Sequence, residues 1–192
     1  MWLIVILLIL AVLYVVSVYN GLVTTKTRIG ASIQEIGNQL KRQAELIPNL
    51  EESTKGYLKQ EKDIFKMLTD ARKTVTEAVA SGDLNKLSSA GEQVANLLPK
   101  FQAVLESNPQ LKSADVVTQL MEELRDTSDK VMYARRTLID LTADYNIKIS
   151  TFPSKLVADV FTFKPEAGLS TPTTGPQLSV SPDELVTPKV KL

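Results

Sequence analysis

The chain has 192 residues, with 22 Lys and Arg against 22 Asp and Glu, and it contains no histidine and no cysteine. Balanced charge provides no net field to attract nucleic acid or acidic partners. Without His and Cys, the chain cannot form Cys/His metal sites or use a His general base or a Cys nucleophile. The composition therefore argues against an enzyme, and we expect no cofactor, no nucleic acid and no small-molecule substrate.

The first stretch, Trp2–Tyr19, has Leu10 near its middle and carries no charged residue. Thirteen of its eighteen residues are Leu, Ile or Val, and a helix of this length reaches roughly 27 Å, close to the hydrocarbon thickness of a bilayer. Trp2 and Tyr19 stand at its two ends, where interfacial rings are found. These features predict a single membrane-spanning anchor over residues 1–19. The alternative is a cleaved signal peptide, but its basic n-region and small-x-small cleavage site are missing.

Basic residues lie on one side of this anchor. Lys26 and Arg28 follow it closely, Lys41 and Arg42 come later, and no Lys or Arg precedes it. The positive-inside rule then predicts a cell-membrane protein with its N-terminus outside and residues 20–192 in the cytoplasm.

A first helix is predicted from the anchor to Ile47, because apolar residues recur at the near-heptad spacing of a coiled coil. No proline interrupts the route from Trp2, so the anchor and this helix are compatible with one continuous rod. Pro48 is predicted to end the helix, since the residue before a proline is pushed out of helical geometry. The predicted buried seam consists of Leu22, Ile29, Ile33, Ile36, Leu40 and Ile47.

A second helix is predicted from about Asn49, with Ser81-Gly82 as its stop and Asp83 as the N-cap of the next helix. Its seam is Leu50, Tyr57, Ile64, Leu68, Ala71, Val75 and Ala78. Glu61 lies on the same seam, where a buried carboxylate needs a partner unless the seam is open to water.

A third helix is predicted over residues 84–107, with the seam Leu87, Gly91, Val94, Leu98, Phe101 and Leu105. Pro99 lies inside it, and because an internal proline costs about 3 kcal/mol, we expect the helix to bend or break there. Ser113 is predicted as the N-cap of a fourth helix that ends near Ser150. Its seam is Val117, Leu120, Leu124, Thr127, Val131, Ala134, Leu138, Leu141 and Tyr145.

The outer face of the fourth helix carries several carboxylates, but di-metal sites in helical bundles need Glu-x-x-His units. We therefore interpret it as a solvated face and expect no metal. Beyond it, residues 152–164 form a short apolar-aromatic stretch that contains Lys155 and Lys164. From Pro165 onward, prolines alternate with Ser, Thr and Gly without periodicity, which predicts a disordered tail over 165–192.

Several of these residues together resemble the signature of the LemA family of bacterial membrane proteins. The matching positions include Tyr19, Asn20, Lys41, Arg42, Pro48, Asn49, Lys55, Gly56, Tyr57, Glu61, Arg72, Tyr145, Asn146, Phe152 and Pro153. The resemblance covers about residues 1–164 and marks these positions as candidate interaction residues. It implies a membrane-anchored, elongated antiparallel helical bundle of no established biochemical activity.

Four helices with short links are expected to pack up-down-up-down. The fourth helix then returns residues 152–164 to the membrane surface, where they either contact lipid or cap the end of the bundle. Residues 47–50 and 108–113 meet at the far tip, roughly 40 Å from the bilayer. With Lys41, Arg42 and Lys112 nearby, this tip is either a docking surface or a plain turn.

Three functions fit this architecture. The first is a membrane-tethered scaffold that binds other proteins or itself. The second is a lipid-active protein that senses or deforms the bilayer through residues 152–164. The third is an accessory subunit of a signalling or protease complex.

Overall fold

The computed structural model describes residues 1–56, 62–112 and 114–169. Within these ranges the chain forms six helices and no strand, which confirms the all-helical prediction. The helices are α1 (Trp2–Thr54), α2 (Lys62–Ser81), α3 (Leu84–Ser107), α4 (Pro109–Lys112), α5 (Asp115–Ser150) and α6 (Ser154–Val160).

Helix α1 is one uninterrupted element of 53 residues, about 80 Å long at the rise of an α-helix. No side chain of its apolar first part is buried, and its buried side chains begin at Leu22. The apolar stretch and the helical bundle therefore share a single helix, as the missing proline between them allowed.

The prediction that Pro48 ends the first helix is wrong, since α1 continues through it to Thr54. An internal proline costs about 3 kcal/mol, but burying one leucine or isoleucine side chain stabilises by about 1.5–3 kcal/mol. Ile47 and Leu50 are both fully packed in the core, so burial of the last turns outweighs the proline. The second helix accordingly begins at Lys62 rather than Asn49, and Leu50 belongs to α1.

Four helices enclose the core, with α1 packed on α2 and α5, and α3 packed on α2 and α5. Consecutive long helices run in opposite directions, as predicted. The predicted seams are confirmed wherever the chain is described: their residues are buried, with Ile33, Leu120 and Leu141 partly buried against the core. Tyr57 and Glu61 lie outside the described residues.

Gly91 marks a close contact between α3 and α5. A Cβ atom at this position would lie 2.7 Å from Cγ1 of Val131 and 3.9 Å from Cδ2 of Leu40. The helices can approach here because residue 91 has no side chain. The contact also sets the vertical register, since it places Gly91, Leu40 and Val131 at one level of the bundle.

Helix α3 runs unbroken through Pro99, so the expected break at this residue is wrong, and the alternative of a bend stays a prediction. Pro99 is exposed, so the carbonyl that loses its helical hydrogen bond can be satisfied by water. The helix starts are close to the predictions. Asp83 caps α3 by accepting a hydrogen bond from the Lys86 amide at 2.9 Å, after Gly82 has turned the chain with φ +64°.

The N-cap of α5 is Ala114, and its carbonyl accepts the first hydrogen bonds of the helix, from Val117 and Thr118. The prediction of Ser113 as the cap is therefore wrong by one residue, and Ser113 itself lies outside the described residues.

The bundle has two levels. From the Gly91 register and the helix rise, the turn between α2 and α3 lies beside about residue 30 of α1 and residue 140 of α5. We call the part beyond this turn the head: residues 31–54, α2, α3, α4 and residues 115–140. The part nearer the apolar end is the stalk, made of residues 20–30, residues 141–150 and the chain from 152 to 169.

Candidate membrane-surface site

Helix α6 lies across α1 at the point where the apolar stretch of α1 ends. At its first residue, Ser154 shares a groove with Ser17 and Gly21 of α1. Just beyond its last turn, the ring of Phe161 lies 4.8 Å from the ring of Tyr19, and the ring of Phe163 lies 5.6 Å from it. Both ends of α6 thus meet the same level of α1 on different flanks, so α6 is transverse to α1.

Two apolar faces make α6 unusual for a surface helix. Val157 and Ala158 are buried against the bundle. On the other side Leu156 and Val160, one turn apart, are 59% and 76% exposed, and Phe152 just before the helix is 81% exposed. The inward face caps the base of the bundle. The outward face, which we call the collar face (Phe152, Leu156 and Val160), has no packing partner among the described residues.

The chain after α6 turns back along the stalk and is held there by hydrogen bonds; we call residues 163–169 the strap. The Tyr145 hydroxyl donates to the Lys164 carbonyl at 3.1 Å. The Asn146 amide donates to the Glu166 carbonyl at 2.9 Å and accepts from the Glu166 amide at 3.0 Å. Gly168 lies against Thr142, and Leu169 packs on the core.

Residues 165–169 therefore belong to the bundle, although the sequence placed them in the tail. The remainder of the predicted tail, residues 170–192, lies outside the described residues.

An ion pair joins the strap to α1. Lys26 Nζ lies 2.6 Å from Glu166 Oε1, and the hydrogen bond and opposite charge of Glu166 raise the pKa of Lys26 above 10.5. Burial raises the pKa of the Tyr145 hydroxyl above 10.0, and the opposing charge of Lys26 does not cancel this effect. Both groups therefore hold their protons more strongly in the folded stalk.

A sequence profile of the LemA family matches residues 32–181, which is 150 of the 192 residues. The chain belongs to the LemA family. The match begins beyond the apolar stretch, so it rests on the bundle itself.

Curated relatives of this LemA-family chain include three magnetosome proteins. MamQ of Magnetospirillum gryphiswaldense is 26% identical over 169 residues, which covers 76% of this chain and 62% of that protein. MamQ 1 and MamQ 2 of Paramagnetospirillum magneticum are each 26% identical over 172 residues, with the same shares covered. The chain thus spans about 62% of the length of the curated relatives it matches.

Helix α1 is the one helix in the described ranges that is long and apolar enough to cross a membrane by length and composition. Together with LemA membership, this feature identifies a membrane-associated helical protein. In the same ranges, no cluster of three or more carboxylates could hold a metal ion.

The structure brings part of the predicted LemA signature together at the base. Tyr19, Tyr145 and Asn146 contact the strap or the chain that leads to it, and Phe152-Pro153, joined by a cis peptide bond, forms the turn from α5 into α6. Asn20 is exposed on α1 beside this region. Tyr145 and Asn146 hold the strap in place through their hydrogen bonds, a positioning role that the motif alone did not reveal.

The other signature residues are spread over the head. Arg72 Nη1 lies 3.4 Å from Glu51 Oε2, and Arg42 Nη2 lies 3.1 Å from Glu123 Oε2, so both arginines link neighbouring helices. An open polar groove of about 470 Å³ surrounds Arg42 and is lined by Asn38, Lys41, Glu45, Leu46, Asn49 and Glu123. Pro48 is half-buried, and Lys55 and Gly56 are exposed after the end of α1.

The predicted tip is placed wrongly. Residues 47–50 lie inside α1, which reaches about 50 Å beyond residue 20 instead of 40 Å. Lys41 and Arg42 lie on its flank, roughly 20 Å below its end, because the helix continues past Pro48. They are therefore not grouped with Lys112 at a common tip.

Proposed function

We propose that the protein is a membrane-tethered, non-enzymatic scaffold that holds a four-helix head at a fixed height above the membrane surface. The observation that carries this proposal is the continuity of α1. The same helix provides the apolar stretch and one wall of the head, with Leu22, Ile36 and Leu50 all buried along its bundle portion. A helix without a joint transmits position rather than acting as a loose tether.

The proposal includes one membrane crossing, formed by residues 2–19, with the bundle in the cytoplasm. The fold supports this orientation by adding basic residues to the same side. Lys148, Lys155 and Lys164 join Lys26 near the base, and cationic side chains favour the cytoplasmic side. Because the chain contains no cysteine, a single introduced one reports topology without background. We expect Ala167→Cys to resist a membrane-impermeant maleimide in intact cells and to react after permeabilisation.

The scaffold function is tested by breaking the rod. Insertion of Gly-Gly-Ser between Gly30 and Ala31 interrupts α1 between stalk and head. In the unaltered protein, a spin label on Lys55→Cys should show one narrow distance to a label on Asn20→Cys, about 50 Å. The insertion should broaden this distribution. The same insertion after Gly56, beyond α1, is the control, and equally narrow distance distributions in both variants would contradict the proposal.

A second candidate function is favoured by the collar face. The collar face lies at the level of α1 at which the apolar stretch ends, where a short transverse helix can lie on a bilayer surface. The protein is then lipid-active as well as tethered. The relatives are named magnetosome proteins, and a structural role on a membrane fits both candidates.

A depth measurement separates the two candidates. A spin label on Leu156→Cys should be shielded from a water-soluble relaxation agent and exposed to oxygen dissolved in the bilayer. A label on Ile139→Cys, also on an exposed apolar side chain but in the head, is the matched control. If the water-soluble agent reached both labels equally, the lipid-contact function would be contradicted and the scaffold function would stand.

A further inference from the structure

A groove opens where α1, α5 and α6 meet, at the level at which the apolar stretch ends. Its volume is about 260 Å³, and it is lined by Ser17, Val18, Gly21, Leu22, Lys148 and Ser154. Ser17 and Val18 belong to the apolar stretch, whereas Lys148 and Ser154 belong to the base of the bundle. The groove therefore crosses from the apolar level to the polar level of the molecule.

Small side chains on α1 keep the groove open. Gly21 stands one turn after Ser17, and a Cβ atom at Gly21 would meet no other atom within 4 Å. The walls are mostly apolar, formed by Val18 and Leu22. Sites for small molecules typically enclose roughly 300–1,000 Å³, so this space suits part of a larger amphiphile, such as its glycerol unit and the first carbons of one chain.

Lys148 supplies a charge at the polar rim. It is exposed, and it takes part in no ion pair within the described ranges, whereas Lys155 on α6 is paired with Asp159 at 2.9 Å. Ser154 helps to position Lys148. The Ser154 hydroxyl donates to the Lys148 carbonyl at 2.6 Å and so fixes the end of α5. An apolar slot below an unpaired ammonium group complements one class of molecule, an anionic phospholipid.

We propose that this groove binds one anionic glycerophospholipid, with an acyl chain against Val18, Gly21 and Leu22 and the phosphate beside Lys148. The proposal rests on the membrane anchorage proposed above, because that places the groove at the lipid–water boundary. It goes further, since it assigns to the stalk a preference among lipids rather than a general contact with the bilayer.

Full-length protein in vesicles of equal phosphatidylglycerol and phosphatidylcholine provides the test. After extraction in mild detergent, native mass spectrometry counts the lipids retained per chain. We expect one retained phosphatidylglycerol in preference to phosphatidylcholine. Lys148→Gln should lower this preference about five-fold, because one lysine at an anionic surface contributes about 1 kcal/mol. Gly21→Leu should fill the slot and remove retention of both lipids.

Matched variants make the result specific. Lys155→Gln removes a nearby paired lysine, and Gly30→Leu adds the same side chain at an open position higher on α1; both should retain lipid like the unaltered protein. An unaltered protein without preference, or an equal loss in either control, overturns the lipid site.

Vesicle flotation is measured in parallel. Flotation of all variants without lipid preference refutes only the lipid site, whereas an unaltered protein that does not float refutes the anchorage as well.

Discussion

The head and the stalk cover the apolar faces of the same two helices, α1 and α5, in different ways. In the head, α1 and α5 are joined by α2 and α3, and four apolar seams meet in one core. In the described part of the stalk two long helices remain, and a two-helix pair leaves part of its apolar face open to water. The missing side is supplied by α6 and by the strap, a segment without regular structure.

The comparison shows how an irregular segment can replace a helix. The head relies on apolar packing, with its closest fit at Gly91. The strap has no regular structure, so its backbone N–H and C=O groups are not paired with one another as they are in a helix. Those that are buried need other partners. Tyr145 and Asn146 provide these partners, so polar side chains of α5 do in the stalk what apolar side chains do in the head.

The largest effect is expected in the head, at Gly91. A methyl group there falls 2.7 Å from Cγ1 of Val131, and the β-branched valine has one strongly preferred rotamer in a helix. Overpacking costs about 1–3 kcal/mol and the gain in helix propensity is about 1 kcal/mol, so Gly91→Ala should lower stability by up to roughly 2 kcal/mol. Thermal denaturation of the full chain, followed by circular dichroism, measures this.

Two variants sharpen the result. Gly37→Ala adds the same methyl group to α1 where no atom lies within 4 Å, and it should leave stability equal or higher by up to about 1 kcal/mol. Combining Val131→Ala with Gly91→Ala should cost less than the sum of the two single losses, since the clashing Cγ1 methyl group is gone. A destabilised Gly37→Ala protein would show that the space around Gly91 is not the cause.

An effect confined to the strap is expected at Asn146. Asn146→Ala removes two hydrogen bonds to Glu166, each contributing about 0.5–1.5 kcal/mol net. Hydrogen exchange of the amides in residues 164–169 should accelerate about five-fold or more, while the head amides keep their protection. Asn96→Ala, at an exposed position on α3, should change neither. Faster exchange throughout the head would mean that the stability of the head depends on the strap.

The smallest effect is expected from alkaline pH. As pH rises past 10.0, the unfolded state can ionise Tyr145 while burial still disfavours the ion in the stalk, so the folded stalk loses stability. Lys26 acts in the same direction, because its raised pKa stabilises the folded state fully below 10.5 and this contribution is lost as pH passes through the folded value. An exposed ion pair contributes less than about 1 kcal/mol.

A spin label on Ala167→Cys should therefore become more mobile above pH 10.0, whereas a label on Ser89→Cys in the head should not. Lys26→Gln should increase the mobility of the strap label already at neutral pH. Identical titration curves for the two labelled sites would place the pH response outside the strap.

The core of the head could be predicted from the sequence, because its helices bury residues at regular spacing. The seam from Leu87 to Leu105 is an example, and periodicity of this kind survives a misplaced boundary. Pro48 was misjudged for a physical reason: local geometry disfavours a helix there, but burial of Ile47 and Leu50 decides the outcome. Such a competition is settled by contacts between distant parts of the chain, which a local pattern does not contain.

The stalk was predicted only in part. The up-down-up-down topology predicted the return of residues 152–164 to the base, but not a transverse helix with two apolar faces. The strap was missed because Pro165 and Gly168 resemble tail residues, and its partners bind backbone atoms that carry no sequence signal. The pair Tyr145-Asn146 was the available clue, since a buried phenol and a half-buried amide both need hydrogen-bond partners.

The unbroken course of α1 has a mechanical consequence. If residues 2–19 cross the bilayer, a change in bilayer thickness is accommodated by helix tilt, and a stiff helix behaves as a lever. An inclination of about 10° would displace the end of a 50 Å arm sideways by roughly 9 Å. The distal end of the molecule would then report the thickness of the lipid beneath it.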